Sequence, residues 1–207
     1  VQEWQNQGQP SQWAQGVELA TREKYAIIDL ISGIDPGTLE QPLQAAKAAG
    51  VKVMTSHFYD PSQPVNPLVN AALPVSFNTI GKLLADWAIQ RTGGNAQLLV
   101  IKSSEVPPTE PLMRGLREEL AQYCPKCRIV NEINVGVTEW ATKIQPSVQS
   151  GLLANPAVNF VIPIYDSMSQ FVVPAINLTG RRGKVRIATF NGTPFVLDYV
   201  RNGDVDM

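Results

Sequence analysis

Residues 97–135 read QLLVIKSSEVPPTEPLMRGLREELAQYCPKCRIVNEINV, and this stretch decides the fold. QLLVIKS (97–103) is almost continuously apolar, the pattern of a strand buried on both faces of a parallel sheet. EPLMRGLREELAQY (110–123) places Leu112, Leu116 and Leu120 along one face of a helix. RIVNEINV (128–135) is a second strand. Working outward, the same alternation recurs. YAIIDLI (25–31), VKVMTS (51–56), VNFVIPIY (158–165) and KVRIATF (184–190) are further apolar, β-branched runs. Between them lie helical spacings such as TLEQPLQAAKAAG, closing on Gly50, and IGKLLADWAIQRTGG, closing on Gly93 and Gly94. Strand and helix alternating throughout predict a doubly wound α/β architecture with parallel sheets.

One segment breaks the rhythm. YDPSQPVNPLVNAALP, from Tyr59 to Pro74, carries four prolines and no helical pattern, and the short extended VSF follows it. It reads as a crossover between two lobes near Ser76 to Asn78, giving lobes of residues 1–77 and 78–207; a long surface loop within one domain is the alternative. A length of 207 residues accommodates either arrangement.

Composition narrows the function. With 17% charged residues and a formal net charge of -1, the chain has no basic surface that would make nucleic acid its partner. The start, VQEWQNQGQPSQW, has no basic segment followed by an apolar stretch, so it does not read as a signal peptide, and no run reaches the length of a membrane span. Dinucleotide, P-loop and serine-nucleophile glycine motifs are absent, and with a single histidine a Ser/His/Asp relay would have to pass through His57. Binding without catalysis is the expectation, with no cofactor and no metal.

Ligands of open parallel sheets bind outside the carboxyl ends of the strands. At those ends stand Ser32, His57 and Phe58, the Ser103 to Pro108 loop leading to Arg114, Trp140, Tyr165, and Asn191 before Gly192. Aromatic faces beside hydrogen-bonding groups suit a small polar ligand with apolar faces, such as a sugar. Each residue also has a plainer reading: Arg114 as a solvated helix charge, Phe58, Trp140 and Tyr165 as packing, His57 as a packed or locally bonded ring, Asn191 as a turn residue.

Cys124 and Cys127 are the two cysteines, in YCPKCR. Zinc would need about four ligands, and a thioredoxin-like pair would follow a strand and begin a helix. Here the pair follows a helix and precedes a strand, which predicts a structural disulfide at a helix-to-strand turn and an oxidising compartment. Two reduced thiols in a cytosolic protein are the alternative.

The order of QNQGQPSQWAQGVELATREKYAIIDLI, DPGTLEQPLQAAKAAGVKVMTS, FNTIGKLLADW, MRGLREEL, ANPAVNFVIPIYDSM and ATFNGTP resembles the type I periplasmic binding proteins, especially the ribose- and galactose-binding group serving ABC transporters, and the related effector domains of lactose-repressor-type regulators. The resemblance spans essentially the whole chain. It implies two lobes closing on a ligand held between them. Arg114, immediately before Gly115, matches the family's sugar-binding arginine. Asn191 stands in place of its usual aspartate, and Tyr165 where many sugar binders have asparagine. His57 and Phe58 occupy the position of an Asp-Arg pair common in ribose binders. Ser32 replaces an asparagine, and Trp140 falls at, or within one residue of, an aromatic that stacks on the ligand. These exchanges imply a less acidic, more aromatic pocket than a pentose site, suited to another sugar, a polyol or a small acid.

Set against the family, Val1 aligns after the first strand and helix, and Met207 before the returning strand and C-terminal unit. The N-terminal lobe is therefore expected to be incomplete, the second lobe nearly complete and the chain a truncated or proteolysed fragment; an unusual short family member is the alternative. The resemblance further implies a monomer in the periplasm, or lipid-anchored outside the cell, with a membrane permease as partner and a signal segment absent from this chain. The alternative is a ligand-sensing effector domain of a transcription regulator, or a receptor ectodomain.

Overall fold

The computed structural model describes residues 1–5 and 9–207; Asn6, Gln7 and Gly8, part of the opening stretch of the family resemblance, lie outside the described residues. The chain divides into two compact units, one of Val1–Phe77 with Glu105–Pro108, the other of Asn78–Ser104 with Thr109–Met207.

The first unit holds helix α1 (Pro10–Arg22), strand β1 (Ile27–Ile31), a 3-10 turn, helix α2 (Glu40–Ala48), strand β2 (Lys52–Ser56) and strand β3 (Ala71–Leu73). The strands form a parallel sheet in the order β1-β2-β3. Pro10 begins α1, where its fixed φ fits the first turn and its missing N–H is no loss. Gly50 follows α2 at φ 79, a left-handed stop that lets Val51 turn straight into β2. Ile28, Leu30 and Val53 pack with Val17, Leu43 and Ala46 into one core.

The apolar runs 25–31 and 51–56 give strands buried on one face: β1 alternates, leaving Ile27 58% and Ile31 62% exposed. Among the described residues, α1 and α2 pack on one side of this sheet, so alternate side chains point away from the core.

The proline-rich segment contains β3, which the sequence did not reveal. Its backbone is organised by side chains. Asp60 Oδ1 accepts from the Ser62 N–H (2.9 Å) and hydroxyl (2.6 Å), and Asn66 Oδ1 from the Leu68 N–H at 2.9 Å. Asn70 Oδ1 accepts from the Val53 N–H at 2.8 Å, as a strand carbonyl would. Such local bonds replace a ladder that proline cannot supply.

The second unit runs α3 (Phe77–Arg91, its first residue still in the first unit), β4 (Gln97–Lys102), α4 (Thr109–Tyr123), β5 (Arg128–Asn134), α5 (Trp140–Ala154), β6 (Phe160–Pro163), α6 (Ser169–Leu178), β7 (Arg186–Ile187) and α7 (Pro194–Arg201). Its sheet is parallel, in the order β5-β4-β6-β7. Leu98 to Ile101 and Phe160 to Ile162 are fully buried, as continuous apolar runs at the centre of a two-sided sheet require. The apolar run 184–190 yields only a two-residue strand. Beyond it, Ile187 O accepts from Asp206 N–H and Thr189 N–H donates to Met207 O.

Cys124 and Cys127 are joined in a disulfide at the turn between α4 and β5, and both are buried. No helix among the described residues is long and apolar enough to cross a membrane.

Candidate functional site

The carboxyl ends of the strands carry unusual backbone. Among the described residues four non-glycine residues have positive φ: Lys24, Ser32, His57 and Asn191. Ser32 (φ 56) directly follows β1, His57 (φ 55) directly follows β2, and Asn191 (φ 88) lies just beyond β7. A left-handed non-glycine residue costs about 1–3 kcal/mol, so such residues persist where the surrounding structure imposes them.

In the first unit, the Ser32 N–H donates to Ser56 O at 3.1 Å, joining the ends of β1 and β2. The Trp13 ring lies against Gly33, whose φ is 110; a Cβ there would meet the ring at 2.2 Å. The half-buried His57 ring meets Phe77 edge-on, with centroids 5.5 Å apart. Phe58 is only 1% exposed and packs against Tyr59, so it supports the strand end from within. Burial raises the Tyr59 phenol above its usual range; the bond from the Asn66 N–H opposes this and the Asp35 charge adds to it.

In the second unit, Trp140 is half-buried at the start of α5, and its ring centroid lies 5.9 Å from that of Tyr165. Tyr165, buried after β6, lies 5.9 Å from Phe190 in turn. Three rings thus form one aromatic tract at the carboxyl edge. Phe190, which closes an apolar run that reads as strand, joins this tract without having been picked out in the sequence. Its signal was position, immediately before Asn191-Gly192.

Asn191 is exposed, two residues before an anchored position in the same loop. Asp166, 2% exposed, accepts the Thr193 N–H at 2.7 Å, which ties the loop after β7 to the end of β6. Arg114 stands exposed on α4. Its helix crosses α3 with backbone nearly touching backbone: a Cβ on Gly115 would meet Asn78 O at 2.0 Å, and one on Gly81 would meet Leu112 O at 2.0 Å.

The predicted residues therefore fall into two sets, Ser32, His57 and Phe58 in the first unit and Arg114, Trp140, Tyr165 and Asn191 in the second. The first set offers a hydroxyl, an imidazole and an aromatic ring, and the second a guanidinium, a carboxamide and aromatic rings. Among the described residues no group of three or more His, Cys, Asp or Glu is placed to hold a metal ion.

A family profile described as periplasmic binding protein domain matches residues 2–207. Among solved structures, an ABC transporter periplasmic solute binding protein from Actinobacillus succinogenes 130z with bound D-allose superposes with a TM-score of 0.79 at 21% identity, over 95% of this chain and 69% of that one. The Caulobacter myo-inositol binding protein, bound to myo-inositol, gives 0.78 at 17% identity, over 96% and 67%. A 5-methylthioribose transporter solute binding protein from Thermotoga lettingae, in complex with 5-methylthioribose, gives 0.79 at 16% identity, over 97% and 60%. At these identities the likeness is one of fold, and the chain spans 60–69% of the length of those structures. No curated protein sequence matches the chain.

Proposed function

Because the chain belongs to the periplasmic binding protein domain family, a family of extracytoplasmic binding proteins and not of enzymes, we propose that it is the solute-binding component of an ABC transporter, taking up a sugar or sugar-like small polar molecule between two lobes. The observation that carries this reading is the coincidence of left-handed backbone with strand carboxyl ends at Ser32, His57 and Asn191. Strain of this kind gathers at ligand clamps.

In this reading Ser32, His57 and Asn191 offer polar atoms from strained turns. Arg114 supplies charge-assisted bonds to hydroxyls or a carboxylate, and Trp140 presents a ring face. Phe58 and Tyr165, both buried, act as the floors beneath these groups. The near-neutral net charge of -1 accords with an uncharged or weakly charged solute. The bound form is handed to a membrane permease. The protein acts as a monomer, in the periplasm or tethered by lipid outside the cell. The Cys124–Cys127 disulfide supports an oxidising compartment over the cytoplasm of a transcription regulator.

The test is a thermal-shift screen against sugars, polyols and small acids, since a ligand that binds only the folded state raises the melting temperature by mass action. One chemical class should give a saturable shift and be recovered unaltered. No shift with any class, or conversion of the ligand to product, overturns the reading.

A further inference from the structure

Ser103 lies just past the end of β4, and its side chain is fully buried. Three hydrogen bonds meet at this residue. Its carbonyl accepts from the Thr109 hydroxyl at 2.5 Å, and its own hydroxyl donates to Val135 O at 2.5 Å. The same oxygen accepts from the Trp140 indole N–H at 2.8 Å, while Val135 O lies 3.3 Å from that nitrogen. A hydroxyl has one proton to give. With that proton committed to Val135, the lone pairs of Ser103 Oγ face the indole, and the indole N–H has its acceptor inside the protein.

Resting on the solute-binding reading above, we propose that Ser103 is a positioning residue that locks the Trp140 ring for the ligand, and that this lock makes Trp140 a ring-face contact and not a hydrogen-bond donor. The locked ring continues into the Tyr165 and Phe190 tract. The wall so formed takes ligands by their C–H faces, and it favours ring-shaped polyols over extended polar acids, which would need donors there. Polar recognition then falls to Arg114, Asn191 and the strained turns.

The experiment has one arm without ligand and one with it. In ¹⁵N-labelled protein the Trp140 Nε1–H resonance is assigned by its loss in Trp140→Phe. Its hydrogen exchange is then compared between wild type, Ser103→Ala and Ser103→Thr, the last of which keeps the hydroxyl. Exchange should quicken by about tenfold or more in Ser103→Ala and return toward wild type in Ser103→Thr. Unchanged exchange in Ser103→Ala overturns the lock.

In the second arm, D-allose and myo-inositol are titrated into wild type, Ser103→Ala, Trp140→Phe and the double variant. Ser103→Ala should weaken binding about three- to tenfold, and should add nothing once Trp140 is Phe, because the two residues act as one unit. Additive losses would show that Ser103 does not act through Trp140, and would overturn the proposal. Wild-type protein that binds neither probe overturns the ring-shaped polyol assignment, a failure separate from the exchange measurement, which reads the lock with no ligand present.

Discussion

Ser32 and Gly33 make a two-residue left-handed turn at the end of β1, with φ of 56 and 110, and the Trp13 ring closes over the glycine. The two positions respond differently to substitution. Ser32→Gly should leave the melting temperature unchanged or higher, since glycine accepts this backbone without strain, while ligand affinity falls with the lost hydroxyl. Gly33→Ala should cost about 1–3 kcal/mol in urea unfolding, because its Cβ would drive into an indole ring. Arg114→Ala should weaken ligand binding by about 1.5–3 kcal/mol in calorimetry with little change in stability, as the side chain is exposed and its helix is held by other residues. The positions of Ser32, His57 and Asn191 were legible in the sequence as strand ends. Ser32-Gly33 and Asn191-Gly192 also signal turns, but nothing in His57-Phe58 marks a left-handed residue. The ring of Phe190 was hidden in the run that precedes it.

The crossing of α3 on α4 is set by two glycines whose missing side chains let carbonyl groups of the partner helix approach. Glycine in a helix interior is unfavourable, so its presence at both contact points marks the crossing as what these helices are built around. Gly115→Ala should destabilise the fold by about 1–3 kcal/mol or more in chemical denaturation, since the obstructing atom is backbone and cannot rotate away, and it should also disturb Arg114 beside it. A second tie lies at the sheet edge, where Glu132 of β5 meets Lys102 of β4 at 2.5 Å and Arg117 of α4 at 2.7 Å. Burial works to raise the Glu132 carboxyl, but hydrogen bonds and charge from Lys102 and Arg117 outweigh it, so its pKa lies below the ordinary carboxylate range. A carboxyl lowered on folding stabilises above its unfolded pKa, and that contribution fades as pH falls through the folded value. The stability gap between wild type and Glu132→Gln should therefore be fully present at neutrality and shrink as pH falls below the ordinary carboxylate range, read by chemical denaturation at a series of acidic pH values. The central strands β4 and β6 of the second unit were legible because their buried residues form continuous apolar runs. Helices α5 and α6 each contain an internal proline, Pro146 and Pro174, which blurs their helical pattern, and β3 is three residues long within a proline-rich loop.

Across the described residues of the whole molecule, seven strands fall into two sheets whose neighbours all run parallel. The alternation of strand and helix announced this arrangement before any coordinate was known, since parallel neighbours require a crossover between them. What the alternation could not convey was which strand edges bring side chains of distant segments together, because that depends on strand order. In the second sheet β4, early in the unit, pairs on one side with β5 and on the other with the much later β6. The backbone N–H of Gln97 accordingly bonds the side chain of Asn159, 62 residues away. That pairing has a kinetic consequence. Among the described residues no hairpin is available to nucleate either sheet, and each parallel strand pair must close a long loop before it is rewarded. Refolding from denaturant, followed by stopped-flow tryptophan fluorescence, should therefore take milliseconds to seconds and not microseconds. Until β6 docks, the apolar edge of β4 stays open to strands of other chains, so refolding yield should fall as protein concentration rises.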